Sequence, residues 1–184
     1  MSYGGGLVAG DTNNLKITVQ QKARLAFLTQ GSTKVYKTPS MSIDSRQKMD
    51  VTVEEGTGLV LLPDPIQPFR DSAYEQRQLF HINHASSSIL ILDWVSADRA
   101  AGEEWQLFKY KGRNDIWSLA DPDKRKKRLL IRDSIALSDT TLMKQDYRHR
   151  MDGLGVFGTI IMRGPILRAL GDFLKNFLPS YGSA

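Results

Sequence analysis

Hydrophobic and polar residues alternate along this chain over short stretches separated by turn-forming residues. Leu15, Ile17 and Val19 alternate with Lys16 and Thr18, the period of two expected when one face of a β-strand is buried. Comparable stretches lie at residues 24–28, 34–36, 49–53, 59–62, 74–82, 88–95, 105–110, 116–117, 129–131 and 155–162. Strands this short and this frequent predict an all-β sandwich, barrel or coil and not a strand–helix alternation.

Two helices are predicted towards the end of the chain. Residues 137–151 have Ser138 or Asp139 as a candidate N-cap and are followed by Gly153. Residues 165–178 begin with a proline suited to a first helical turn. Their apolar residues fall on one helical face: Ile166, Leu167, Leu170, Phe173, Leu174, Phe177 and Leu178. We expect this stripe to pack on the protein's own sheet, with a partner-binding face as the alternative.

Size and composition favour one domain spanning residues 1–184. The chain has 184 residues, 41% of them hydrophobic, which is ample for a continuous core. It contains no cysteine, so disulfides and thiolate metal sites are excluded and a reducing compartment is compatible. No apolar run reaches the roughly 20 residues that span a bilayer, and residues 1–6 lack the basic and apolar regions of a secretory signal, so we expect none. We therefore expect a cytoplasmic protein without a membrane partner.

The net charge of +5 is accounted for by one run of five cations at residues 124–128. Because the rest of the chain then sums to zero, we do not expect a distributed basic face of the kind that binds nucleic acid. The interpretation we favour is a solvated turn that leads into a strand. The alternative is a module that binds nucleic acid or an acidic surface through this run.

No catalytic motif lies in the context that its chemistry requires, so we expect no enzyme. Gly4-x-Gly6 is not preceded by the strand that a dinucleotide fingerprint needs, and Ser45-x-x-Lys48 lacks its companion motifs. Three histidines and no cysteine make a structural zinc site improbable. One enzymatic alternative stays open, a hydrolase that uses Asp93 and Glu103 as an acid/base pair.

Asp93 is the most unusual carboxylate in the sequence. It follows four consecutive aliphatic residues, 89–92, and precedes Trp94. Burying an ionised carboxylate is costly unless it is paired or coordinates a cation. One explanation is an ion pair, with Arg99 as the nearest cation in sequence. The other is an oxygen ligand on a path for a divalent cation, which suits passage more than storage.

Four motifs together resemble the D-type (also called H-type) urease accessory protein family. They are the glycine-rich segment 5–11, the segment 29–36 that ends in Lys34-Val35-Tyr36, the proline-bounded segment 61–69, and Asp93-Trp94 followed by Arg99-x-x-Gly102-Glu103. The likeness extends from about Gly4 to Phe177, and it identifies the chain as similar to the central part of such a protein. Relative to the family pattern, a β segment before the glycine motif and further chain after the first C-terminal helix are missing, so we expect exposed strand edges.

The resemblance implies a β-helix-like all-β fold with one or two C-terminal helices and a non-enzymatic scaffold role. The implied partners are the urease apoprotein, the F-type urease accessory protein and the G-type accessory GTPase. No tightly bound cofactor is implied, but nickel passes transiently through an internal channel lined partly by acidic residues.

Particular residues match the family's functional and structural positions. Asp11 and Asp93 match channel carboxylates, Asp133 is a third candidate, and Thr33 matches a hydroxyl residue near the same path. The resemblance assigns structural roles to the motif residues Gly5, Gly6, Gly10, Lys34, Tyr36, Arg99, Gly102 and Glu103.

Overall fold

The computed structural model describes residues 5–97, 105–121, 126–138 and 151–177. These residues form twelve β-strands, one short 3-10 turn and one α-helix. The strands are β1 (Gly6–Leu7), β2 (Thr12–Val19), β3 (Arg24–Leu28), β4 (Thr33–Val35), β5 (Ser45–Val53), β6 (Gly58–Leu62), β7 (Ile66–Pro68), β8 (Ala73–Ile82), β9 (Ser88–Ser96), β10 (Lys109–Asp121), β11 (Lys126–Ser138) and β12 (Val156–Arg163). The 3-10 turn (Pro165–Leu167) leads into helix α1 (Arg168–Phe177).

The strands form two sheets, and the chain crosses from one sheet to the other repeatedly. The seven-stranded sheet has the order β1-β4-β7-β9-β6-β3, with β12 also paired to β9. The five-stranded sheet has the order β11-β10-β8-β5-β2. Strands β2, β5, β8 and β10 of the second sheet run parallel to one another, and only β10–β11 and β9–β12 are antiparallel.

Alternation along each strand decides which side chains fill the space between the sheets. In β5 the buried residues Ser45, Met49, Val51 and Val53 occupy every second position, separated by more exposed ones. In β8 the inward series continues from Tyr74 to Ile82 in the same period. Successive side chains of a strand point to opposite faces, so each sheet contributes one apolar face to a shared core.

Most of the predicted strands are confirmed, and the mainly-β class is correct. The structure corrects the interval after residue 105, because Trp105 to Phe108 precede the strand and residues 109–121 form one continuous strand. It also corrects the first predicted helix, because Leu137 and Ser138 belong to strand β11 and Met151 lies in a turn. The remainder of that prediction, residues 139–150, lies outside the described residues.

The second predicted helix is present, but its apolar stripe does not pack on the sheet as expected. None of the residues of α1 is buried, and the side chain of Phe173 is 60% exposed. Leu170 and Phe177 are also exposed, with the Phe173 and Phe177 rings stacked at 5.7 Å. The apolar stripe of α1 is therefore not buried against the sheet.

The expected absence of a distributed basic face is wrong for the charges alone, because cations share one sheet face without the interleaved aromatic residues that base stacking needs. Among the described residues, alternation places nine cations on the outer face of the five-stranded sheet, opposite its buried face: Lys16, Arg46, Lys48, Arg77, Lys109, Lys111, Arg113, Lys127 and Arg132. Three carboxylates share that face, Asp50, Glu75 and Asp115. This face is not evident from the sequence, because its cations are spread over five strands instead of forming one run.

Candidate functional site

A band of polar side chains crosses the interior and divides the core into two apolar halves. One half is centred on Val51, Phe80 and Ile91, and the other on Val95 and Tyr110. Between them lie six inward-facing polar residues, which we call the polar seam: Gln47, Gln76, Gln78, Asp93, Asn114 and Asp133. Apolar contact between the two halves is thus interrupted along the middle of the protein.

Asp93 is the centre of this seam and contributes the only carboxylate on strand β9. Its Oδ1 accepts a hydrogen bond from Gln76 Nε2 at 2.9 Å, and its Oδ2 accepts one from Asn114 Nδ2 at 2.7 Å. Burial raises the pKa of Asp93, the two amide donors lower it, and the charge of Asp133 raises it again, so the net pKa is above the ordinary value. Two neutral donors thus satisfy a carboxylate that contacts no cation within the described part of the chain.

Two carbonyl oxygens of the seam have no hydrogen-bond donor among the described residues. Gln78 Oε1 and Asn114 Oδ1 are both buried and unpaired. The orientation of Asn114 follows from its amide nitrogen, which donates to Asp93 and also lies 3.4 Å from Asp133 Oδ2. A buried acceptor without a donor is destabilising by about 1–3 kcal/mol. With two such acceptors beside a buried carboxylate, the seam has more hydrogen-bond acceptors than donors.

A small cavity of about 40 Å³ lies along one end of the seam. Its lining includes Thr33, Gln47, Gln76, Gln78 and Asp93. A buried water needs roughly 10–15 Å³ of such volume, so the space is sufficient for a few water molecules. Oxygen-bearing side chains from both sheets therefore face one small internal space.

The cavity lies where the seven-stranded sheet is interrupted. Strands β3 and β4 are separated by residues 29–32, and strands β6 and β7 by residues 63–65. The two interruptions are adjacent because β3 pairs with β6 and β4 with β7 in parallel register. Asp64 joins them by accepting hydrogen bonds from Thr29 Oγ1 at 3.0 Å and from the Gly31 backbone at 2.7 Å. Asp64 therefore adds a second carboxylate to the cavity lining.

The structure brings together three of the four predicted path residues. Thr33 and Asp93 line the same cavity, and Asp133 reaches the seam through Asn114. Asp11 is placed differently, in the turn between β1 and β2. Its carboxylate accepts a hydrogen bond from the Val8 backbone at 3.0 Å, which stabilises that turn. A metal-carrying role for these residues remains a prediction.

The glycine motif has a packing role that explains several of its residues together. Strand β1 pairs in parallel with β4, with Gly6 opposite Lys34, and the Tyr36 amide donates to the Leu7 carbonyl at 2.9 Å. A Cβ at Gly6 would collide with the Lys34 backbone and the Tyr36 ring, so only glycine permits this approach.

The other motif residues differ in how much the structure explains. Gly10 has a φ of 86°, in the left-handed region that favours glycine. Gly5 has open space around it. Arg99, Gly102 and Glu103 lie outside the described residues. The proposed Asp93–Arg99 ion pair and the Asp93–Glu103 acid/base pair therefore have only one described member.

Sequence reasoning missed Asp64, Gln76, Gln78 and Asn114. A usable signal exists for the two glutamines, because they occupy the same period-two phase as the buried Tyr74, Phe80 and Ile82. Polar residues in the buried phase of a strand mark an internal polar site. Asn114 and Asp64 could not be found this way, because their contacts depend on which strands become neighbours.

The arrangement is better suited to contacting a cation in transit than to holding one. Among the described residues no group of three histidine, cysteine, aspartate or glutamate side chains is positioned to hold a metal ion. His81 and His84 are separate, since His81 lies 3.5 Å from Asp50 and His84 lies 3.7 Å from Glu55. The oxygens of carboxylates and amides bind divalent transition metals less tightly than imidazole or thiolate does.

Comparison with known proteins now decides the family. The model of the UreD urease accessory protein family matches residues 1–184. The chain belongs to the UreD urease accessory protein family. A ureD-like urease accessory protein of Schizosaccharomyces pombe is 36% identical over 167 residues, covering 90% of this chain and 57% of the relative. Urease accessory protein 4 of Cryptococcus neoformans is 33% identical, covering 95% of this chain and 60% of the relative.

Similar family members occur in plants. Urease accessory protein D of rice (Oryza sativa subsp. indica) is 30% identical over 184 residues, covering 96% of this chain. The chain spans 54% of that protein's length, so it corresponds to somewhat more than half of its curated relatives. In the described residues, no helix has both the length and the apolar character needed to cross a membrane.

Proposed function

We propose that this UreD-family chain is a non-enzymatic accessory protein of urease maturation that passes nickel ions along the polar seam. The observation that carries the proposal is the seam itself, which combines a buried carboxylate with unpaired acceptor oxygens. Asp93 is only 9% exposed, yet it has no cation in contact among the described residues.

The energetic cost of the seam supports a functional origin. Apolar side chains in place of Gln78 and Asn114 would join the two halves of the core and remove two unpaired acceptors. Buried polar groups that are not fully bonded lower the stability of a protein, so their presence calls for another reason. A divalent cation supplies one, because it interacts with carboxylate and carbonyl lone pairs that no hydrogen-bond donor occupies.

The chemistry and size of the cavity support passage in preference to storage. Its volume of about 40 Å³ has room for only a few waters, so a crossing ion would exchange part of its hydration shell for protein oxygens. Oxygen ligands of this kind form weak complexes with nickel compared with nitrogen and sulfur ligands. Such a site releases its cargo readily to a partner that binds nickel more tightly.

The scaffold part of the proposal concerns partners. We place the urease apoprotein, the F-type accessory protein and the G-type accessory GTPase around this chain, in the cytoplasm. The repeated crossing between two mostly parallel sheets supports the β-helix-like description of the body. The apolar face of α1, with Leu170 and Phe173 exposed, supports a surface that another protein covers.

The test measures nickel-dependent urease activation in cells that contain the other urease genes and lack their own D-type accessory protein. Supplying this chain should restore activation and should allow its co-purification with the urease apoprotein. Asp93→Ala should reduce activation while leaving co-purification intact. Ile116→Val is the matched control, because it trims a buried neighbour of Asn114 without removing an oxygen. Full activation by Asp93→Ala would refute the nickel path, and no co-purification of the unaltered chain would refute the scaffold.

A further inference from the structure

We propose that the outer face of the five-stranded sheet is a docking site for an acidic protein surface. This face lies on the opposite side of the sheet from the polar seam, and the proposal does not depend on nickel passage. Its central feature is a row of three cations on adjacent strands. Lys48 of β5 is directly opposite Arg77 of β8, and Arg77 is directly opposite Arg113 of β10.

The row is electrostatically unfavourable in the isolated chain. Adjacent strands lie about 4.8 Å apart, and like charges directly opposite one another destabilise a sheet. Lys48 and Arg77 are exposed and have no ion-pair partner within the described residues. Lys111, two residues before Arg113 on β10, is also exposed, and it is directly opposite Glu75 without forming an ion pair with it. An external anion would relieve this repulsion.

One end of the row is held in place by a buried carboxylate. Asp115 is fully covered, and it accepts hydrogen bonds from Arg113 Nε at 2.8 Å and from Arg132 Nε at 2.7 Å. Burial raises the pKa of Asp115, but the two guanidinium groups outweigh this effect and hold the pKa below its ordinary value. One carboxylate thus orients two arginines whose side chains remain 37% and 45% exposed, leaving a net positive charge at a fixed position.

The chemistry of the face favours protein carboxylates over a nucleic-acid backbone. Asp50 and Glu75 lie among the cations and would repel the closely spaced phosphates of a nucleic acid. The described outward positions offer only the partly buried rings of Trp117 and His81, side by side at one end of the face, so an extended platform for stacking bases is lacking. Carboxylates one helical turn apart repeat at about 5–6 Å, close to the strand spacing, and arginine binds them through paired donors.

The same charges oppose face-to-face docking of a second copy of the chain, since two basic faces repel each other. Other interactions on the face are local. Arg46 lies 3.6 Å from Asp44 and 4.0 Å from Glu75, and Lys109 pairs with Asp44. These contacts engage Arg46 and Lys109, while Lys48 and Arg77 form no ion pair within the described part of the chain.

The experiment titrates the whole chain into a fluorescein-labelled glutamate-rich peptide and follows fluorescence anisotropy. A single-stranded oligonucleotide of equal charge serves as the second probe. The unaltered chain should bind the peptide at about 50 mM NaCl and lose affinity steeply by about 300 mM. The double variant Lys48→Glu/Arg77→Glu should weaken peptide binding about tenfold, since two attractions become repulsions. The neutral variant Lys48→Gln/Arg77→Gln should weaken it less.

Lys37→Glu is the matched control, because Lys37 is an exposed cation in the loop after β4, away from this face. It should leave peptide affinity within about twofold, although it changes net charge in the same direction. The proposal is overturned if the peptide does not bind at low salt, if Lys37→Glu weakens binding as much as the double variant, or if the oligonucleotide binds more tightly than the peptide. Circular dichroism of each variant verifies folding, which these exposed positions should not disturb.

Discussion

Replacing Gln78 with methionine should make the protein more stable and at the same time less able to support nickel delivery. Gln78 is 3% exposed, and its Oε1 is buried without a hydrogen-bond donor. Methionine has nearly the same length and shape and fills the same space without the polar atoms. The substitution therefore removes an unpaired acceptor without creating a cavity.

The size of the effect follows from the cost of the lone acceptor. Leaving a buried carbonyl unpaired costs about 1–3 kcal/mol, so Gln78→Met should raise the free energy of unfolding by about 1–2 kcal/mol. With a urea m-value of about 2 kcal/mol/M, the unfolding midpoint should increase by about 0.5–1 M. Urea titration followed by tryptophan fluorescence measures this change. Nickel-dependent urease activation by the same variant should fall, because one cavity oxygen is lost.

Higher stability together with lower urease activation would identify the Gln78 oxygen as functional and not structural. An oxygen needed only for folding would give lower stability on replacement. If Gln78→Met lowered the urea midpoint, the carbonyl would have an essential partner and the reasoning about unpaired acceptors would fail. If the midpoint rose and activation were unchanged, the seam would be a tolerated defect and the proposed nickel path would lose its main support.

Three further outcomes are expected. Gln76→Met should lower the free energy of unfolding by about 2 kcal/mol in urea titration, because it removes the donor to Asp93 Oδ1 and the acceptor of the Tyr74 hydroxyl. An unchanged urea midpoint would contradict this hydrogen-bond network. Burial and, to a lesser degree, Lys127 lower the pKa of His81, against the opposing effect of Asp50. The unfolded chain therefore binds a proton at higher pH than the folded protein does, and stability should decline as pH falls below about 6.5. His81→Gln should flatten this decline in pH-dependent thermal unfolding. Asp115→Asn should lower the urea midpoint at neutral pH, and its difference from the unaltered chain should shrink as pH falls below about 4. The reason is that the lowered pKa of Asp115 contributes stability only while the aspartate of the unfolded chain is ionised. A pH-independent difference would argue against the charge effect.

The likeness to the UreD family and the core alternation were both accessible from the sequence, for related reasons. Both depend only on the order of residues over short stretches. A motif is a short run of particular residues, and the two faces of a strand follow from a period of two. Gln76 and Gln78 could have been placed on the inner face of β8 in this way. The need for glycine at Gly6 is not local, because it comes from the approach of Lys34 in β4 and of Tyr36 just after it.

The first predicted helix shows how tertiary context changes a local preference. Leu137 and Ser138 looked like the start of a helix, but they end strand β11, whose partner β10 extends as far as Lys109 opposite Ser138. Hydrogen bonds to a neighbouring strand outweigh a weak capping signal, because helix propensity is a small energy per residue. For α1 the prediction of a helix from the apolar periodicity was correct, but the prediction that its apolar stripe packs on the sheet was wrong. Periodicity identifies the apolar face of a helix but does not determine what packs against it.

The sequence by itself determined the strand-rich class, the faces of each strand, the family likeness and the presence of an unusual carboxylate at Asp93. Tertiary structure alone decided that Asn114, 21 residues away, would bind this carboxylate, and that Lys48, Arg77 and Arg113 would stand in one row. The physical reason is the register between strands. Alternation fixes the side of the sheet on which a residue lies, whereas its neighbours across the sheet follow from how the whole chain folds and which backbone hydrogen bonds it forms.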